Sequence, residues 1–146
     1  MIHVDASGPV VTVVIDRPER RNALDLAAVE DLLAAVTGVP ADTRALVLTG
    51  ADGHFCAGAD LQDVSDEAFQ PRLQALLAAL RTAPFVTFAA ADGAALGAGT
   101  QLAVACDLRV ATPAASFGIP AAKLGLAVDA GTAQRHDREA GDVDPE

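Results

Sequence analysis

Residues 93–107 read GAALGAGTQLAVACD, and this stretch decides the fold. Gly93, Gly97 and Gly99 crowd its front, and Leu102, Ala103, Val104 and Ala105 follow as an apolar helix pattern. Glycine lets a backbone approach its neighbour closely. A helix N-terminus presents unpaired N–H groups and a partial positive charge. A glycine turn that runs into a helix is therefore either a tight packing joint or a cradle of backbone donors for a developing oxyanion. It is not a dinucleotide turn, because Leu102 stands where G-x-G-x-x-G requires its last glycine. No G-K-[ST] phosphate loop occurs.

A second stretch, HFCAGADL at 54–61, narrows the choice. It follows a strand-like run at 45–48 that ends in Thr49-Gly50-Ala51-Asp52-Gly53. Gly58 permits a sharp turn, and Asp60 can cap a helix start. Three further segments surround the pair: IDRPERRNALD (15–25), SFGIPAAKLGLAVD (116–129) and GTAQR (131–135). With ADGAALGAGTQLAVACDLRVAT (91–112), they occur in the order and spacing that resemble the crotonase family, the enoyl-CoA hydratase/isomerase superfamily. The resemblance runs over residues 10–135 and corresponds to the N-terminal half of a usual family member. It implies an α/β fold, a crotonase-like spiral of ββα units, with the C-terminal helical region missing.

The alternation of elements agrees with α/β. Val10–Ile15 is a β-branched run and reads as a strand, ended by Asp16-Arg17-Pro18. Asp25 is placed to cap a helix over 26–37, with Leu26, Val29, Leu32, Leu33 and Val36 on one face. Strands are predicted at 44–49, 85–90 and 107–111, and an extended piece at 114–118. Helices are predicted at 67–82 and 98–106, and Pro120 can open one more helical turn. The resemblance implies that residues 1–135 form one acyl-CoA-binding core, and the composition of the acidic segment 136–146 predicts a disordered tail.

The chain is 51% hydrophobic and carries a net charge of −10, which disfavours nucleic acid and anionic membranes as partners. Arginine dominates over lysine, with Lys123 alone, and alanine and valine abound; this points to a GC-rich bacterial source. Cys56 and Cys106 lie in apolar segments and read as free buried thiols of a cytoplasmic protein. No secretory leader is visible, and the apolar stretch 83–106 is broken by Asp92-Gly93 before it reaches the ~20 residues of a membrane span. His3 and His136 are assigned to mobile ends, and His54 to a solvated loop.

The resemblance also implies a chemistry. Family members bind an acyl-CoA thioester and hold its oxygen with two backbone N–H groups as an enolate forms. By position these donors are Ala59, in Ala57-Gly58-Ala59-Asp60, and Ala98, beside Gly97. No separate cofactor is implied, because CoA enters as part of the substrate; trimers are usual in the family. Hydratases place glutamates where this chain has Gln101 and Ala121, and neither residue can act as a base at neutral pH. Asp129 occupies a position where dienoyl-CoA isomerase-like members carry an aspartate; it is either a proton shuttle or a loop cap. Arg17, Arg20 and Arg21 either contact CoA phosphates or face solvent, with Ala23 and Leu24 bordering the adenosine end. Phe69, Leu73 and Leu77 either line an acyl channel or fill the core. Three readings follow: an isomerase-type enzyme, a non-catalytic acyl-CoA binder, and an inactive fragment.

Overall fold

The computed structural model describes residues 1–60 and 66–119. The valine-rich stretch Val10–Ile15 forms strand β2, second in the five-stranded sheet. It pairs antiparallel with β1 (Ile2–Asp5) on one side and parallel with β3 (Ala45–Gly50) on the other. β4 (Val86–Ala91) and β6 (Leu108–Ala111) extend the parallel series, giving the order β1-β2-β3-β4-β6. A smaller parallel pair joins β5 (Ala94–Leu96) to β7 (Ser116–Gly118).

Parallel neighbours need crossovers, and three helices supply them. Helix α1 (Leu26–Thr37) links β2 to β3, α2 (Phe69–Thr82) links β3 to β4, and α3 (Ala98–Ala105) lies between β5 and β6. Asp25 caps α1 by accepting from the Ala28 N–H at 2.8 Å. Such a cap satisfies one of the donors a helix start leaves open. Arg109 Nη1 closes the far end of α3 by donating to the carbonyls of Ala103 and Cys106, both at 3.0 Å.

One face of the sheet builds the core. Val11, Val13, Ile15, Leu46, Leu48, Ala89 and Ala91 are buried there. They join Val29, Leu32 and Val36 of α1 and Phe69, Leu73, Leu76, Leu77 and Leu80 of α2 in one cluster. Every residue of α3 is buried, so this helix is enclosed all round. A helix without a polar face needs that enclosure. The opposite sheet face leaves Val10, Val86, Leu108 and Val110 exposed. Where β4 meets β6, the one buried polar side chain of β4, Thr87, is satisfied by Asp107. The Thr87 N–H donates to Asp107 Oδ2 at 2.9 Å, and the Asp107 N–H donates back to Thr87 Oγ1 at 2.9 Å.

Strand and helix positions agree with the sequence reading within two residues, and α1 agrees at both ends. Three differences carry physical content. Residues 2–5 are a strand, not a mobile end, so His3 is fixed: it stands opposite Val14, and its Nε2 lies 2.9 Å from Asp16 Oδ2. Only four residues long, β1 has too short a pattern to be seen without its partner. Helix α2 begins at Phe69 instead of residue 67, because the Asp66 carboxylate accepts from the Ala68 N–H at 2.8 Å and holds a separate turn. Strand β5 was not foreseen; it exists through pairing with β7 and a bridge between Cys56 and Ala95. The predicted turn at Pro120 and the acidic segment 136–146 lie outside the described residues.

Leu32 of α1 is fully buried in the core cluster. Leu32→Ala should lower unfolding free energy by about 2–5 kcal/mol in urea titration. A loss below about 1 kcal/mol would mean that this core collapses around the cavity or is not packed as described.

Candidate functional site

The site is made where two backbone turns meet. The first leaves the C-terminal end of β3. At Gly50 a Cβ would overlap the carbonyls of His54 and Phe55, so glycine lets the loop fold back on the strand. Phe55 and Cys56 then run beside β5: both N–H groups donate to the Ala94 carbonyl, at 3.0 and 2.9 Å, and Leu96 N–H donates to the Cys56 carbonyl at 2.9 Å. The second turn follows at Gly97, whose φ of 54° is left-handed, and opens directly into α3. The two turns touch backbone to backbone. A Cβ at Gly99 would overlap the Cys56 carbonyl oxygen, and one at Gly58 would lie 3.2 Å from the Leu96 carbonyl oxygen and 4.0 Å from Ala98 N.

Peptide geometry then aims two N–H groups. The Gly58 carbonyl accepts from the Leu24 N–H at 2.8 Å, and the Asp60 N–H donates to the Leu24 carbonyl at 2.7 Å. In a trans peptide C=O and N–H point in opposite directions. The Ala59 N–H, on the same peptide as the Gly58 carbonyl, therefore points away from Leu24. Likewise the Gly97 carbonyl accepts from the Gln101 N–H at 3.1 Å along α3, so the Ala98 N–H points out of the helix start. Among the described residues, no backbone carbonyl accepts from either N–H. Two donors on touching turns, one at a helix N-terminus, suit an electron-rich oxygen.

Side chains support the turns more than they line them. Asn22 is completely buried in left-handed backbone (φ 60°), a conformation asparagine tolerates. Its Oδ1 accepts from the Arg17 N–H at 2.7 Å, and its Nδ2 donates to the carbonyls of Ala51 and His54 at 2.9 and 2.7 Å. The Thr100 hydroxyl accepts from the Gly118 N–H at 3.0 Å and lies within donating reach of the Ala95 and Gly118 carbonyls. This pins α3 to the β5–β7 pair. Neither Asn22 nor Thr100 was foreseen as a site residue. The asparagine in RRNALD was the one available signal.

Of the residues singled out from sequence, Ala57, Gly58, Ala59, Asp60, Gly97 and Ala98 come together at the joint. Gln101 is buried one turn into α3. Ala57 N–H donates to the Arg21 carbonyl at 3.0 Å, tying the arginine loop to the same turn. Leu24 is fully buried, so it shapes the turn and offers no surface of its own. Arg17 points inward, with Nη1 3.3 Å from Asp60 Oδ2 and Nη2 3.4 Å from Asp25 Oδ2. Arg20 and Arg21 are exposed, and Ala23 is half-buried beside them. Phe69, Leu73 and Leu77 are buried in the core cluster. His54, in the loop after β3, is half-buried instead of solvated, and among the described residues its buried Nδ1 has no partner. Asp129 and Ala121 lie outside the described residues. Both cysteines are buried thiols, not joined in a disulfide. Among the described residues, no three His, Cys, Asp or Glu side chains could hold a metal, and no helix is long and apolar enough to cross a membrane.

Parallel strands with helical crossovers, joined to two glycine turns that touch backbone to backbone, define a class of α/β proteins. The family model described as enoyl-CoA hydratase/isomerase matches residues 5–144, and the chain belongs to that family, with the crotonase fold. It is 45% identical over 131 residues to "Probable enoyl-CoA hydratase echA6" of Mycobacterium tuberculosis, across 88% of this chain and 54% of that protein. Among solved structures, Pseudomonas aeruginosa AtuE superposes with a TM-score of 0.86 at 34% identity, covering 96% of this chain and 58% of AtuE. An enoyl-CoA hydratase from Bacillus anthracis gives 0.81 at 35% identity, covering 94% and 57%. The chain thus spans about half the length of the relatives it matches.

The joint between the turns makes two measurable demands. Gly99→Ala should cost about 1–3 kcal/mol or more, because the added Cβ meets backbone that cannot swing aside. Gly8→Ala, in open space, should be near neutral. Equal denaturation midpoints for the two variants would show that the turns do not touch.

Burial pushes the Cys56 thiol up to about 12. A thiol in the unfolded chain ionises near 8.5. Between these values the unfolded state loses a proton that the folded state keeps. The contribution of Cys56 is therefore complete below pH ~8.5 and declines as pH rises toward ~12, by at most about 1.4 kcal/mol per pH unit. The urea midpoint should fall less between pH 8 and pH 10 in Cys56→Ala than in the unaltered chain; an equal fall would mean that the thiol ionises as readily in the folded protein as in the unfolded chain.

Proposed function

We propose that this chain binds an acyl-CoA thioester with its carbonyl oxygen between the Ala59 and Ala98 N–H groups. The observation that carries the reading is this pair of N–H groups without backbone partners on touching turns. As a proton leaves the carbon alpha or gamma to the thioester, negative charge gathers on that oxygen. Fixed donors and the start of α3 stabilise it without reorganising. One such donor is worth about 2.7–4 kcal/mol at the transition state. Arg20 and Arg21 are the candidates for CoA phosphate, with Ala23 at the adenosine end, since both arginines are exposed.

The chemistry we assign is a proton shift, not hydration. Gln101 and Ala121 stand where hydratases use glutamates, and neither can accept a proton at neutral pH. Asp129 is the carboxylate that the motif alignment puts beside the substrate. It would remove a C–H proton, leaving an enolate, and return the proton to another carbon of the same chain. The substrate is isomerised and nothing is added. A place in bacterial cytoplasmic fatty acid metabolism is part of this reading, supported by composition and by the mycobacterial relatives. The second reading, a non-catalytic acyl-CoA binder, is favoured by the same missing glutamates.

Calorimetric titration with crotonyl-CoA and longer unsaturated acyl-CoAs tests binding. Hydration of crotonyl-CoA should stay far below ordinary enzyme turnover, roughly 1–10³ per second. In heavy water, deuterium should enter the bound acyl chain, read by mass spectrometry. Asp129→Asn should stop this while leaving affinity nearly unchanged, since the amide keeps the shape but cannot take the proton. Exchange that survives the substitution removes Asp129 from the mechanism. Binding without exchange in the unaltered chain supports the non-catalytic binder, and no binding rejects both readings.

A further inference from the structure

We propose that Arg17 is a positioning residue that aims the Ala59 N–H; this rests on the donor role proposed above for Ala59. The sequence offers Arg17 as one of three loop arginines available to a phosphate. Its guanidinium is instead spent inside the protein. Nη1 donates to the Ala23 carbonyl at 3.0 Å and lies 3.3 Å from Asp60 Oδ2, while Nη2 lies 3.4 Å from Asp25 Oδ2. Nε is 4.0 Å from Glu19 Oε1. The Arg17 side chain is 20% exposed and that of Asp60 9%, so water screens the pair little.

The geometry gives Arg17 a specific task. Asp60 follows Ala59 directly, and Asp25 follows Leu24 directly. Leu24 clamps the backbone on both sides of Ala59, through the Gly58 carbonyl and the Asp60 N–H. Arg17 bridges the carboxylates of the two residues that follow, Asp25 and Asp60. The backbone clamp sets the distance between the two segments, and the guanidinium sets their twist. Without the cation, the carboxylates of Asp25 and Asp60 repel across the clamp, and the peptide carrying the Ala59 N–H rotates. A planar guanidinium can hold both carboxylates at once, which a lysine ammonium does less well. The Arg17 backbone is fixed in turn by the Asn22 side chain at 2.7 Å.

Isotope-edited infrared spectroscopy of the full chain with crotonyl-CoA, labelled with carbon-13 at the thioester carbonyl, reads the outcome. In the unaltered chain the bound carbonyl band should lie below its position in water, because N–H donors polarise it. Arg17→Gln should lose most of this downshift and Arg17→Lys part of it. Affinity for CoA itself, which has no thioester carbonyl, should be unchanged in both. A merely structural role for Arg17 would instead weaken CoA and crotonyl-CoA together and leave the bound band where it was. A full downshift in Arg17→Gln overturns the inference while leaving the donor role of Ala59 standing. Should Arg17→Gln fail to unfold cooperatively, Asp25→Asn decides: it keeps the helix-capping oxygen and removes one charge of the bridge, and an undiminished downshift there overturns the inference. No binding, or no downshift in the unaltered chain, rejects the donor reading itself, and the role of Arg17 falls with it.

Discussion

The contact between Gly99 and the Cys56 carbonyl is the constraint on which the rest depends. No side chain stands between the two turns there, so two stretches of main chain meet at the closest approach that packing allows. That approach brings the start of α3 beside the loop after β3. It requires the strand bridge between Cys56 and Ala95 to be in register, and it requires α3 to be narrow, which Ala98, Gly99, Ala103 and Ala105 provide. Any added atom at the joint moves a helix, not a rotamer.

Around this joint the protein spends its buried polar groups on main-chain partners. Asn22 gathers the Arg17 N–H and the carbonyls of Ala51 and His54. Thr100 ties α3 to Gly118, and Asp107 ties the entry of β6 to Thr87. In a chain of net charge −10, the inward Arg17 is the local exception, compensating carboxylates that otherwise crowd one turn. Buried polar groups of this kind are costly when unpaired and specific when paired. They fix loops that apolar packing alone would leave adjustable.

How much of this was legible in the sequence follows from the range of each interaction. Helix α1 was readable because its cap, Asp25, and its apolar face lie within one short segment. The face of α2 was readable for the same reason, although its first turn was not, since Asp66 competes for the Ala68 N–H. The short strands β1 and β5 have no pattern of their own and are strands only beside β2 and β7. The turns at Ala59 and Ala98 were found through their glycine motifs. The supports were missed: Asn22 acts on carbonyls 29 and 32 residues away, and the inward turn of Arg17 depends on Asp60, far along the chain. Composition and spacing carry no record of such partners.

The parallel register bears on how the chain acquires its structure. Val10 pairs with Ala45, and Ala45 with Val86, so each ladder joins residues that a whole crossover separates. Neither pairing can begin as a hairpin. Closing such loops costs entropy before any ladder bond returns it, which slows folding relative to locally connected topologies. During that interval Val10–Ile15 is a bare β-branched edge, the kind of segment that aggregates when exposed. Fast local formation of α1, whose cap and face are contiguous, shortens the search by taking 12 residues out of the flexible chain between β2 and β3. The kinetic vulnerability of this molecule thus sits in a strand that the folded sheet pairs on both sides.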